Sequence, residues 1–442
     1  MLTIAIAEVL GKLPEQELEE TVSAFVRPVA ELLPDQRLGR VVGLAVQGIV
    51  GGESPVVTEM TQSGSRREGS SWAKAKRVYR FLNNQRFSHR DIAKGLYRIG
   101  QRTVAAEQPQ RVVVALDPVN LEKAYTRKLE GVSTVRKSTP PDLTGQARLA
   151  HGYPAMTATV VNTRVPAIRY ASWFSYTTAD FVSQNREIFR AIRFSRWLFP
   201  DRPVRFVGNS ELDDQKVFER VDRARAEFVF RAKHLDRWVE VYNDRLDRWE
   251  AEHLQDLVDT VPFAATWQVA FTHAGRTRVA TVQIGWLRLR LPDSHRPLWA
   301  LVAYETDIDR TLVLLTNVPL TDLTQAQSVY ADWRLRGRIE HGYRFDQEQG
   351  LDVEDMRVRT LERLRRLFLL VLLAAQVVFL IMHAWPPRAV LWLRQLGGKL
   401  GLSIDCDGPY ILLRGLRALF QTVATLSHLA LQPFPKDAFT YR

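Results

Sequence analysis

Cysteine is almost absent: Cys406 stands alone, so no disulfide can form within the chain. That excludes a disulfide-stapled scaffold and suits a reducing compartment. The nine histidines fall at no zinc-ligand spacing, and no cluster of soft ligands is present. No internal repeat and no low-complexity tract breaks up the sequence. The first residues lack a basic stretch followed by a long apolar run, so no signal peptide is expected, and a cytoplasmic location is. Long apolar runs are scarce too. The one exception, Leu367 to Trp385, approaches bilayer-spanning length, but Gln376 and His383 interrupt it. It reads as a core helix, and no membrane partner is expected.

What is present is an ordinary folding composition with a basic excess. Hydrophobic residues make up 46% and charged residues 25%, which describes folded domains rather than disorder. Lys and Arg outnumber Asp and Glu by 61 to 49, a net charge of +12. A polyanion, nucleic acid first, is the partner such a balance suits. The excess concentrates between residues 61 and 110. There Ser70 to Asn83 reads as a helix with Ala73, Val78, Phe81 and Leu82 on one side. Lys74, Lys76, Arg77 and Arg80 stand on its outer face as candidate phosphate contacts.

The pattern changes along the chain. Residues 1 to about 105 read as helical. Arg111 to Asp117 is a short β-branched run ending on a carboxylate. Residues 118 to 150 read as loop. Strands are expected over 155–162, 167–174, 203–208 and 227–232, with helices over 178–199 and 213–223 between them. That order gives a mixed α/β layer. From Trp238 to Asn317 the sequence alternates and turns often, predicting further strands over 266–273, 276–291, 298–306 and 311–316. Trp238, Trp249, Trp267, Trp286 and Trp299 fall here and read as core, with stacking of one of them on an extruded base the alternative.

A helix is then expected over 323–349. On it Val329, Trp333, Arg336, Glu340, Tyr343 and Gln347 step by four and three onto one face. Such a stripe of polar and aromatic residues is unlike a plain amphipathic helix. Gly337 and Gly342 inside it each cost about 1 kcal/mol relative to Ala, so something besides helix stability chose the stretch. Phosphodiester chemistry with two magnesium ions needs carboxylates at strand ends and one on a neighbouring helix. Asp117 and Glu340 fill those places, and a third ligand is expected at the end of the later strand.

Three motifs follow in order: Val-Ala-Leu-Asp117, Phe-Val-Gly-Asn209-Ser-Glu-Leu-Asp-Asp and Arg-Gly-Arg-Ile-Glu340. With the basic Ala-Lys-Arg-Val-Tyr-Arg-Phe-Leu-Asn-Asn stretch, they make the chain resemble a DDE-class insertion-sequence transposase. The resemblance implies an α/β fold with an RNase H-like mixed sheet and flanking helices, an inserted β-rich subdomain and a helical N-terminal domain. It implies a helical DNA-binding domain over 1–105 and a catalytic core over 106–235 and 321–385. Between the core parts lies a β-rich insertion over 236–320, and a helical C-terminal region covers 386–442. It implies an Mg2+ centre of Asp117, the Asn209 position and Glu340, with two ions for which Mn2+ can substitute. Arg336 and Arg344 would contact DNA. The partners implied are transposon-end duplex DNA, target DNA and a second copy of the chain when assembled on DNA, in the nucleoid.

The family carries Asp where this chain has Asn209. An amide oxygen is neutral and a poor magnesium ligand, so strand cleavage should be weakened. An engineered trap, natural conversion to a binding role, and takeover by Asp213 or Asp214 are the competing explanations. Capping of the next helix is the ordinary role for an acid at 213 or 214. Part of the family also has Tyr…Arg…Glu…Lys where this chain offers Trp333, Arg336, Glu340 and Gln347. The function the resemblance implies is a DNA transposase that binds transposon ends and catalyses Mg2+-dependent DNA cleavage and strand transfer, impaired by Asn209; the alternative is a catalytically silent DNA-binding protein of transposase descent.

Overall fold

The computed structural model describes residues 13–62, 69–123, 128–137, 146, 148–243, 245–273, 276–292, 294, 296–339, 350–401 and 408–431. In chain order the elements are α1 (Glu15–Ala30), α2 (Gln36–Gly52), α3 (Val57–Met60), α4 (Ser71–Leu82), α5 (His89–Glu107), β1 (Val112–Glu122), β2 (Ser133–Arg136), β3 (Leu149–Val160) and β4 (Ala167–Trp173). Then come α6 (Gln184–Trp197), β5 (Val204–Gly208), α7 (Gln215–Arg223), β6 (Glu227–Arg231), β7 (Trp238–Asn243), β8 (Arg248–His253) and α8 (Leu254–Thr260). The chain continues with β9 (Ala265–His273), β10 (Arg276–Arg290), β11 (Leu298–Glu305), β12 (Arg310–Thr316), α9 (Leu323–Arg334), α10 (Leu361–Ala384), α11 (Pro387–Leu396) and α12 (Pro409–Leu431).

Contacts divide the chain into two units: Met1–Ile99, Asn120–Tyr153 and Gly342–Arg442 form one, and Gly100–Val119 with Pro154–His341 form the other. This division differs from one drawn in chain order, because residues 1–99 pack with the C-terminal helices. In this helical unit α10 lies against α1, α2, α4 and α12. Its apolar length is therefore covered by protein, as expected of a core helix, with 78% of its most apolar window buried. Arg366 of α10 is buried and donates to the carbonyls of Phe81, Leu82, Asn84 and Phe87, which satisfies the open C-terminal end of α4. Where α11 crosses α12, a Cβ on Gly415 would overlap the Leu393 carbonyl, so only glycine fits. Residues 118–150, read as loop, hold β2 and the ends of β1 and β3. There Lys123 is buried and donates to the carbonyls of Val353 at 3.2 Å and Glu354, and burial pulls its ammonium down to about 8.

The second unit is a mixed sheet with strand order β3-β1-β5-β6-β12-β11-β10-β7-β8, with β4 beside β3 and β9 beside β10. β1, β5 and β6 are parallel, and β6 to β12 is the switch to antiparallel pairing. The strands expected as an insertion thus continue the sheet outward from β6. Asn162 closes the start of β1, accepting from Val113 N at 3.0 Å and donating to Arg111 O at 2.7 Å.

Side-chain alternation separates two faces. Val112, Val114, Leu116, Phe206, Phe228, Phe230, Val313 and Leu315 point to one face and share the core cluster with Ile188 and Ala191 of α6 and Val217 and Phe218 of α7. The other face is covered by α9. That helix starts at Asp322, whose carboxylate accepts from Gln325 N at 2.9 Å, and buries Ala326, Val329, Tyr330 and Trp333 at helical spacing. It is fastened to the sheet by Arg205, whose side chain is 2% exposed and bridges Asp332 at 2.7 Å and Glu227 at 2.8 Å. Arg111 adds a second cation 3.4 Å from Asp332. Burial still holds the Asp332 carboxyl above its ordinary range, against the pull of Arg205 and Arg111.

Replacing Arg205 leaves a buried carboxylate short of its main partner. Arg205→Met should cost about 3 kcal/mol or more in a urea unfolding measurement at pH 7.5. Because the folded pKa of Asp332 is raised, the unpaired acid is neutralised more readily as pH falls. The loss should therefore shrink as the titration approaches the ordinary carboxylate range. An equal loss at pH 7.5 and near the ordinary carboxylate range would show that Asp332 is not the group left exposed to the cost.

Candidate nucleic-acid and phosphodiester site

Three parallel strands build the site by register alone. β1 and β5 pair up to Leu116 with Gly208, and β5 and β6 pair up to Gly208 with Phe230. One residue further, Asp117, Asn209 and Arg231 therefore stand in a row on neighbouring strands, about 4.8 Å apart per strand. Alternation turns all three to the face that α9 covers, since Arg205, two and four residues from Val207 and Asn209, reaches Asp332 from that face. Crevices at the carboxyl ends of parallel strands are the usual ligand positions in open α/β sheets.

Asp117 is buried at 8% exposure. It does not end its strand, as the sequence reading had it: β1 runs on through Pro118 to Glu122. What ends at Asp117 is the pairing with β5, since Pro118 has no N–H to donate. Asn209 is half-buried, and its Oδ1 accepts from Glu211 N at 3.0 Å, closing the turn that leaves β5. The two alternative acids have other work. Asp214 caps α7, accepting from Lys216 N at 2.7 Å. Asp213, with a side chain 0% exposed, accepts from Lys233 N at 2.7 Å and pairs with Arg237. It ties down the chain leaving β6.

The helix read over 323–349 is interrupted. α9 stops at Arg334, Leu335 and Arg336 form a turn in which Arg336 N bonds Trp333 O at 3.0 Å, and residues 337–339 are helical again. Glu340, Tyr343, Arg344 and Gln347 lie outside the described residues, so their share of the stripe has no structural account. A Cβ on Gly337 would meet nothing within 4 Å, and nothing in the structure explains that glycine.

The near part of the stripe is well placed. Trp333 is buried and its Nε1 donates to Gly208 O at 3.0 Å, beside Asn209. The Arg336 guanidinium stacks over the Trp333 ring at 5.5 Å. A position that looked like a departure from a phosphate-binding signature thus carries an arginine to the end of β5. Arg338 is committed elsewhere, donating to the carbonyls of Val161, Thr163 and Arg164 with its charge disfavoured by burial. Arg231, exposed at the end of β6, went unnoticed in the sequence. Its signal was the parallel pairing of two strands, which periodicity does not reveal.

The basic helix divides. Lys74 is buried at 3% exposure and so does not stand on the outer face. Lys76 is exposed and sits 5.4 Å over the Trp72 ring. Arg77 and Arg80 line a groove of about 1140 Å3 together with Arg27, Arg37 and Arg40 of α1 and α2. Five guanidiniums line it against the carboxylates of Glu19, Glu31 and Asp35, a net basic groove that suits a phosphate backbone.

A metal ion is poorly provided for by what is described. No group of three His, Cys, Asp or Glu side chains converges among the described residues. At the strand ends one carboxylate faces one amide, with Arg231 and Arg336 adding positive charge. A pair of divalent cations wants the reverse balance.

Fold and site define a class: a mixed α/β protein with a large mixed sheet and a row of polar and cationic side chains at the ends of adjacent parallel strands. No protein-family model matches the chain, and no curated protein matches it. Among solved structures, a cryo-EM structure of the piggyBac transposase synaptic complex with hairpin DNA matches with a TM-score of 0.36 and 8% identity. The match covers 74% of this chain, which spans 55% of that one. A likeness at that TM-score carries no argument, and the reading of the site rests on its residues.

Trp333→Phe keeps the packing and removes the bond to Gly208 O. It should lower stability by about 1–3 kcal/mol in chemical unfolding, the cost of stranding a buried carbonyl. A change below about 0.5 kcal/mol would mean that the indole N–H does not anchor this end of α9.

Proposed function

We propose that the chain is a DNA-binding protein of the DDE transposase type, with an RNase H-like core, in which Asn209 holds the place of the second acid and suppresses strand cleavage. One observation carries this reading: Asp117 and Asn209 follow the register-matched pair Leu116 and Gly208 and share the α9 face. Strand order supports it as well, since β4-β3-β1-β5-β6 sets an antiparallel meander beside parallel crossover strands. Glu340, close after Arg336 in the chain, is the third position.

In the active form of such a site, Mg2+ or Mn2+ would activate the attacking hydroxyl and neutralise the leaving oxygen. This chain's own residues perform binding and positioning. Arg231 and Arg336 hold a backbone phosphate at the strand ends, the latter kept in place by its stack on Trp333. Arg77, Arg80, Arg37 and Arg40 neutralise phosphates of duplex DNA along the groove of the helical unit. End DNA, target DNA and a second copy assembled on DNA are the partners, within the nucleoid.

The test restores the acid. With supercoiled plasmid and Mg2+ or Mn2+, the wild-type chain should bind and leave the plasmid intact, and Asn209→Asp should nick it. Adding Asp117→Ala to Asn209→Asp should abolish nicking while binding persists. If Asn209→Asp binds but never nicks, the chain is a binding protein whose site has no residual cleavage chemistry. Loss of plasmid binding by the wild type in low salt would sink both readings. Separately, Arg231→Ala should weaken binding of a 30-base-pair duplex and reduce the salt slope by about 1, as one lost phosphate contact does.

A further inference from the structure

Far from the Asp117 row, the outer strands of the second unit carry an aromatic and arginine surface. Tyr242 on β7 stands directly opposite Trp249 on β8, and Trp238 opposite His253. β10 pairs with β7 through Leu289 with Val241 and Arg290 with Glu240, which brings Arg288 beside Tyr242. The rings and guanidiniums interleave. Arg290 lies 4.3 Å and Arg288 5.6 Å from the Trp249 ring, and Tyr242 meets Trp249 edge-on at 5.3 Å. The Trp238 and His253 rings are 3.9 Å apart. All six side chains occupy one face, while Val239 and Leu289 on the opposite face are fully buried in the core. None of the five tryptophans read as core here is fully covered; Trp238 is 55% exposed.

A contiguous exposed aromatic surface marks an interaction site. Half-exposed rings with arginines set among them present π faces and positive charge together. A base offers a π face of any sequence and its backbone offers negative charge. The chain's net charge of +12 complements that polyanion and disfavours a basic protein partner. We propose that the β7–β8–β10 face binds an unpaired nucleic-acid strand by stacking bases on Trp249, Tyr242 and Trp238, with Arg288 at the backbone; the Arg290 guanidinium on the same face is paired with Glu240. The two ring groups, four residues apart along β7, are about 13 Å from each other. The platform lies five strands from β5, about 24 Å, on the face that α9 covers further inward. It is a site separate from the strand-end row and from the groove of the helical unit.

The test uses the full-length protein and fluorescence anisotropy with a 20-nucleotide oligo(dT), a 20-nucleotide oligo(U) and a 20-base-pair duplex. The wild type should bind the single strands. The double variant Trp249→Ala/Arg288→Ala should lose about tenfold or more in single-strand affinity, with duplex affinity held within about twofold. Trp249→Phe, which keeps a ring, should recover most of the loss. Equal affinity for dT and U, or preference for either, upholds the platform and names its source. Unchanged single-strand affinity in the double variant overturns it, as expected were the face a protein-docking surface. Parallel loss of single-strand and duplex binding overturns it too. If Trp249→Ala does not fold, Trp238→Ala and Arg288→Gln, both at exposed positions, carry the same test. Failure of Asn209→Asp to nick plasmid leaves this result unaffected.

Discussion

The Arg205 guanidinium is the constraint on which the second unit depends. It is almost fully buried on a strand that is otherwise apolar, and it is held by carboxylates on two other elements, Glu227 and Asp332. A buried cation tolerates little displacement, because its Coulomb and hydrogen-bond partners offset a large desolvation cost only in good geometry. The consequence is positional. α9 is fixed over β5 through two adjacent residues, Asp332 taking the Arg205 guanidinium and the Trp333 indole meeting Gly208 O. On the other flank Tyr330 donates to Glu305, which Arg334 also contacts, so the helix is tied to β11 as well. Burial and Glu305 together push the Tyr330 hydroxyl up to about 12, which keeps it a donor at any physiological pH. Everything carried past Arg334 inherits this placement.

The strand ends follow from a second constraint, parallel register. Because Leu116 pairs with Gly208 and Gly208 with Phe230, no freedom remains in which residues become neighbours one step on. A shift of one residue would turn Asp117 and Asn209 into the core face among Phe206, Phe228 and Phe230. The stacked phenylalanines on that face, with Phe218 and Phe228 ring centroids 4.8 Å apart, therefore defend the polar row on the other. Core and site are two readings of one alternation.

Much of this was legible in the sequence, and the failures have physical causes. The strands at 204–208, 227–231, 265–273, 276–290, 298–305 and 310–316 show themselves as short β-branched or alternating runs between turns. Asp117 and Asn209 fall where the motifs put them, though β1 continues past Asp117. Pairing between distant strands leaves no periodic trace, so Arg231 was invisible. The break after Arg334 was less hidden, since Gly337, a poor helix former, stands just beyond it. Lys74 looked exposed in a basic run but sits on the packed side of its helix. The tryptophans of the outer strands were read as core because ring size favours burial; edge strands leave them half-covered. Glu340 and Arg344 lie beyond what the structure describes.

Charge balance ties the site to its reading. A row that holds two cations requires negative charge in excess at the strand ends. Among the described residues, Asp117 contributes one negative charge, and Arg231 and Arg336 contribute two positive ones. With Asp at 209 the row would be balanced before any further acid is counted, and an acid at 340 would tip it toward cations. With Asn the described residues sum to one positive charge, and an acid at 340 brings the row to balance. Asn209 also keeps the turn that Asp would make, since its Oδ1 accepts from Glu211 N as a carboxylate oxygen can. The substitution thus takes one negative charge from the row and keeps the turn. On the reading proposed, a row one negative charge short suits a backbone phosphate better than a pair of metal ions, which is why binding and cleavage are expected to separate at this one residue.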